Sequence, residues 1–109
     1  MQFHQQHQTA DSLELYIKLP EDDPVFEGHF PELPILPGVV QIQWAMEHSV
    51  CWYAGEQFMA IEKLKFQQMM SPGSEVVLKL IHQGNGKVSF HYGRGGESFS
   101  SGCLVFKVV

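Results

Sequence analysis

From residue 38 to about residue 54 the chain carries one long helical pattern whose apolar positions do not keep to a single side. Val39, Val40, Ile42, Trp44, Ala45, Met46, Val50, Trp52 and Tyr53 lie nearly all round the axis. A helix apolar on every side is expected to be buried. Gly55 supplies its stop. Most of the remaining chain reads as strand. Residues 12–19 alternate strictly, with Leu13, Leu15, Ile17 and Leu19 on one face. Residues 58–70 form a strand, and Ser71-Pro72-Gly73-Ser74 turns the chain. Residues 75–82 and 87–92 then pair across Gly84-Asn85-Gly86, a strong hairpin signal. Gly93 to Gly96 breaks the pattern again before a last strand over residues 97–109. One buried helix among about five antiparallel strands is an α+β layer arrangement. No internal repeat or linker interrupts it, so residues 1–109 read as one domain.

Between the first alternating strand and the helix lies the segment with chemical content. After the turn Glu21-Asp22-Asp23-Pro24 come Gly28-His29-Phe30-Pro31 and Pro34-Ile35-Leu36-Pro37-Gly38. The prolines at 31, 34 and 37 exclude helix and hold the loop semi-rigid. His29 is thus set beside a stiffened loop that ends where the helix begins. An imidazole is the natural proton carrier near neutral pH. The free N–H groups and partial positive charge of a helix N-terminus suit a developing oxyanion. Base and oxyanion site together are the minimum for chemistry alpha to a carbonyl.

These residues resemble the beta-hydroxyacyl-ACP dehydratase family of the hotdog fold. Gly28, His29, Phe30, Pro31, Pro34, Pro37, Gly38 and Val39 carry the likeness, with Ala45 and Met46 further along; it extends more weakly over residues 12–109. Among family members the chain is most similar to the short dehydratase-like proteins of aryl-polyene clusters. The resemblance implies an antiparallel sheet wrapped around one central buried helix. It implies an acyl thioester on ACP (or CoA) as substrate and a homodimer or a higher oligomer of dimers. Each site would join the histidine of one protomer to the helix acid of the other. His29 becomes the base for the C2 proton and Gly38 the amide donor to the thioester carbonyl, with Phe30, Pro37 and Val39 against the substrate. No metal or other cofactor is implied, because loss of water from a 3-hydroxyacyl thioester needs only proton transfer and enolate stabilisation.

The family acid sits fourteen residues after the histidine, and here that position is Gln43. Three readings stand side by side. Gln43 holds the substrate hydroxyl or a water while His29 handles both protons. Alternatively, Glu47, on the same helix face by i,i+4 spacing, supplies the carboxyl. Or the site is weakened or inactive. Two other functions remain open on the same residues: a hotdog acyl-CoA or acyl-ACP thioesterase, and a non-catalytic acyl-binding or heteromer partner subunit.

Other candidates read as structural. His48 lies about 100° round the helix from Glu47 and faces elsewhere. His4 and His7 stand in a Gln-rich stretch with no further ligand type beside them, and His82 and His91 read as strand-surface residues. Phe66, Met69 and Met70 read as core or tunnel wall, Gly93-Arg94-Gly95-Gly96 as a plain turn, and Cys51 and Cys103 as small buried hydrophobes. Two cysteines make no disulfide framework, which favours a reducing cytoplasm. The opening MQFHQQHQTADS has neither a basic nor an apolar leader region, and no apolar run reaches the ~18 residues of a membrane span. Net charge is −5, but residues 1–62 hold ten of the twelve acids and only one base, leaving six bases against two acids in residues 63–109. Nucleic acid fits such an acidic total poorly. An acidic carrier protein could still meet the basic half.

Overall fold

The computed structural model describes residues 3–21 and 36–107. Its elements in chain order are β1 (Phe3–Gln8), β2 (Ser12–Lys18), α1 (Gly38–His48), α2 (Val50–Tyr53), β3 (Phe58–Phe66), β4 (Glu75–Gly84), β5 (Lys87–Arg94) and β6 (Glu97–Phe106). The six strands form one sheet in the order β1-β2-β4-β5-β6-β3, antiparallel at every pairing. The chain therefore leaves β2 near one margin, passes through α1, and returns as β3 at the opposite margin. That crossover lays the helix over one face of the sheet.

Alternation decides which side chains meet it. Leu13, Leu15 and Ile17 of β2, Val76, Leu78 and Leu80 of β4, and Val88, Phe90 and Tyr92 of β5 are buried at every second position and join one core with Ala45 of α1. The opposite sheet face is polar and cross-linked between neighbouring strands by Lys79–Glu14 and Arg94–Glu75, while Lys87 of β5 reaches across β6 to Glu62 of β3. Among the described residues no helix is long and apolar enough to cross a membrane.

The predicted hairpin is present: Asn85 and Gly86 both take positive φ, 54° and 79°, as a two-residue turn of this hand requires. Several expectations need correction. A strand missing from the sequence reading, β1, pairs with β2 although FHQQHQ offers only Phe3 as an apolar anchor. The helical pattern does not run unbroken to residue 54. Ser49 turns its hydroxyl back onto the Ala45 carbonyl at 2.7 Å, the local competition that interrupts helices, and a single turn follows as α2. Nor is the helix enclosed on all sides. Gln41, Ala45 and Ser49 face the sheet and are buried, whereas Val39 is 72% and Val50 57% exposed.

Both marginal strands are irregular. In β1 the register shifts between Gln5 and His7. In β3 it shifts between Glu62 and Lys65, where Lys63 adopts φ 55°. β3 ends at Phe66, short of the predicted residue 70, because the Gln67 and Gln68 amides both turn onto the Phe99 carbonyl.

Candidate active site

One row of the sheet underlies the start of α1. Leu78 pairs with Tyr92, Tyr92 with Ser100, and Ser100 with Phe66, so these side chains stand in line across β4, β5, β6 and β3 on the helix-facing side. Three of them touch the helix. Tyr92 donates its hydroxyl to the Gln41 carbonyl at 2.6 Å, and Ser100 donates to Gln41 Oε1 at 2.6 Å. The Phe66 ring lies over Gly38, where a Cβ would stand 2.6 Å from Phe66 Cζ. Any side chain at Gly38 would have to displace this ring, and the backbone angle there sets no demand for glycine.

Ahead of the helix, Leu36 is buried and its N–H donates to the Met70 carbonyl at 2.8 Å. Pro37 caps α1 in extended geometry with no side-chain cap bond. The amides of Val40 and Gln41 both turn back to Pro37 O. The Gly38 and Val39 amides, at the first helical positions, have no acceptor within the helix and carry its positive end. Gly38 lines a cleft of about 310 Å³ whose walls also include Leu36, Gln41, Phe66 and Met69. The cleft is mostly apolar and borders the start of α1, a place suited to an acyl chain ending in a carbonyl.

Of the residues singled out from sequence, His29 and Phe30 lie outside the described residues. Gly38 lines the cleft, and Pro37 caps the helix beside it. Gln43 and Glu47 are brought together: Gln43 Nε2 donates to Glu47 Oε1 at 3.1 Å. They do not share the cleft's side of the helix. Val39, Gln43, Glu47 and Val50 form an exposed stripe turned away from the buried stripe of Gln41, Ala45 and Ser49. In one copy of the chain, the amide–carboxylate pair therefore faces outward.

Gln41, Ser100 and Tyr92 were missed by the sequence reading. The available signal was a glutamine in line with Ala45 and Ser49, a polar residue on what proves to be the sheet-facing stripe. Burial raises the Tyr92 pKa far above the ordinary phenol value, so its proton stays available for the Gln41 carbonyl.

Elsewhere, His82 is more than a surface residue. Its Nε2 meets the Tyr53 hydroxyl at 2.7 Å, Trp52 stacks on its ring, and Asp11 Oδ1 lies 3.6 Å from Nδ1. His48 bonds the Trp44 carbonyl and packs on Phe3, Met69 is exposed while Met70 is buried, and Cys51, expected inside, is exposed.

The family model described as ApeI-like, ApeI dehydratase, matches residues 5–103. A relative named 3-hydroxyacyl-[acyl-carrier-protein] dehydratase FabZ from Natranaerobius thermophilus is 28% identical over 81% of this chain and 70% of its own length. A FabZ from Chlamydia muridarum is 32% identical over 81% of this chain and 67% of its own. Among solved structures, a chain of the dehydratase heterocomplex ApeI:P from Xenorhabdus doucetiae superposes with TM-score 0.85 at 29% identity, covering 96% of this chain and 95% of that one.

Proposed function

The chain belongs to the ApeI-like dehydratase family, and from that membership we propose that it eliminates water from a 3-hydroxyacyl thioester carried on ACP to give the 2-enoyl thioester. The observation that carries the reading is Gly38, at the first position of α1, lining an apolar cleft beside the positive end of the helix. In this scheme His29 takes the C2 proton, and the electron pair left behind moves onto the thioester oxygen. The Gly38 N–H bonds that oxygen, a contribution of about 3 kcal/mol to the transition state. As the enolate collapses, the C3–O bond breaks, and the departing hydroxyl takes from the His29 imidazolium the proton that His29 removed from C2, so that water leaves and the base is restored. Gln43 orients that hydroxyl. Glu47, held by Gln43, stands one turn away as the reserve acid.

A second copy completes the site in the same reading. Its support is the outward position of the Gln43–Glu47 pair and the exposed apolar side chains Val39, Met59, Leu64 and Phe66 along α1 and the β3 margin. Residues 1–109 act as a single hotdog domain, working as a homodimer or an oligomer of dimers in the cytoplasm. Incubation with a 3-hydroxyacyl-ACP tests the proposal. The wild-type chain is expected to form enoyl-ACP and the folded His29→Ala variant to form none; undiminished turnover in that variant rejects the scheme. Glu47→Gln and Gln43→Glu divide the remaining chemistry. Loss in the first and gain in the second is the pattern of a carboxyl needed on this helix face.

One observation favours a second reading, a subunit that works only beside a sister protein: an amide stands at position 43 where the family carries a carboxylate. No turnover alone, with turnover restored on mixing with a sister dehydratase, is its signature.

A further inference from the structure

Among the described residues three polar side chains are buried outright: Gln41, Ser49 and Ser100. Ser49 is satisfied within its own helix. The other two are bonded to each other across 59 positions of sequence. Gln41 also reaches backward, its Nε2 donating to the Leu36 carbonyl at 3.1 Å, while its own carbonyl accepts the Tyr92 hydroxyl. Packing gives no reason for this arrangement, because apolar side chains of similar shape at both positions would fill the space without groups to satisfy. What the links accomplish is geometric. Leu36 precedes Gly38 by two residues and is gripped from both sides, by Met70 through its N–H and by Gln41 through its carbonyl. Gly38 is thereby suspended between two fixed points.

We propose that Gln41, held by Ser100, is the positioning residue of the oxyanion site: by fixing the Leu36 carbonyl it sets the Gly38 N–H at the mouth of the cleft. This rests on the dehydratase reading. Electrostatic stabilisation of an enolate depends on donors fixed before the charge develops. A shift of about 1 Å in such a donor can cost up to about 100-fold in rate. Gln41 touches no reacting atom in this scheme and acts only through the Leu36–Gly38 backbone.

The test compares Gln41→Met, Ser100→Ala and, as a control of similar burial, Ser49→Ala. Turnover of a 3-hydroxyacyl-ACP is measured together with amide hydrogen exchange over residues 36–41. In Gln41→Met, kcat is expected to fall about 10- to 100-fold with KM held within about twofold. Exchange at 36–41 quickens while β4 and β5 are unchanged. The Gln41→Met/Ser100→Ala double variant is expected to be no worse than Gln41→Met, since both remove one link. Gln41→Glu can offer the same donor and acceptor only while protonated, so its kcat should recover as pH is lowered. Wild-type kcat in folded Gln41→Met, or a loss no greater than that of Ser49→Ala at equal stability, overturns the proposal. If Gln41→Met does not fold, Ser100→Ala carries the same comparison. If the wild type forms no enoyl thioester, the dehydratase reading fails separately. Exchange then decides: loosening confined to 36–41 upholds the clamp, and a uniform or absent change rejects it.

Discussion

At the scale of single residues, the proposed role of Gly38 separates chemistry from stability. An added Cβ collides only with the tip of Phe66, a ring that is 52% exposed and free to swing aside. Alanine also gains about 0.5–1 kcal/mol over glycine within a helix, enough to offset a modest displacement. Gly38→Ala is therefore expected to leave the unfolding free energy within about 1 kcal/mol of wild type. The displaced ring crowds the cleft, so kcat/KM falls, by about tenfold for each 1.4 kcal/mol of transition-state binding lost. Urea unfolding beside steady-state kinetics checks both halves. The place of Gly38 at the helix start was legible because the prolines at 31, 34 and 37 exclude helix before it and the helical pattern begins at Gly38. The pairing of Gln43 with Glu47 was legible from i,i+4 spacing alone. Gln41 was not, because a pattern that counts apolar positions cannot tell which polar residue points inward. Only the neighbours on β5 and β6 decide that, and they lie about fifty to sixty residues away in the chain.

At the scale of elements, hydrogen bonds between distant segments explain the places where the sequence pattern fell short. Asn85-Gly86 announced the β4–β5 hairpin because its chemistry is local. β1 could not be foreseen, since its backbone pairs with β2 whatever its polar side chains are. The short helix α2 is pinned in the same manner: the Tyr53 hydroxyl accepts the Gly86 N–H at 2.9 Å and meets His82. Tyr53→Phe leaves that amide without its partner and is expected to cost about 1–3 kcal/mol in urea unfolding, with the fold unchanged. Across β2, β4 and β5, Glu75 accepts from Tyr16 and pairs with Arg94. The Tyr16 hydrogen bond first, and then Arg94, hold its carboxyl below the usual glutamate range. A depressed acid lends stability above its unfolded-state pKa and forfeits it as pH falls through the folded value. Glu75→Gln is accordingly expected to be less stable than wild type near neutrality. The gap should close in acid, below the ordinary glutamate range, when unfolding is followed as a function of pH.

At the scale of the whole molecule, one copy leaves apolar surface uncovered: Val39 and Val50 on the helix, Met59, Leu64 and Phe66 along β3, and Met69 beyond it. The expectation of a helix apolar on every side came from its composition. The sheet of one chain accounts for only one of those sides. A partner surface cannot be read from periodicity, which is why the sequence suggested burial without saying by what. If a second copy covers this region, Leu64→Lys is expected to shift the sedimenting species from dimer to monomer while the far-ultraviolet circular dichroism is retained. An unchanged dimer would place the contact elsewhere. The irregularities in β1 and β3 acquire meaning here. A sheet open at both margins is a template on which further chains could add without limit, as in fibres. Each margin carries a kink, at Gln5–His7 on one side and at Glu62–Lys65 on the other. Only a short stretch of either outer strand is straight enough to be copied, so growth by strand addition stops early. The bends act as built-in terminators, allowing a finite assembly and denying an endless one.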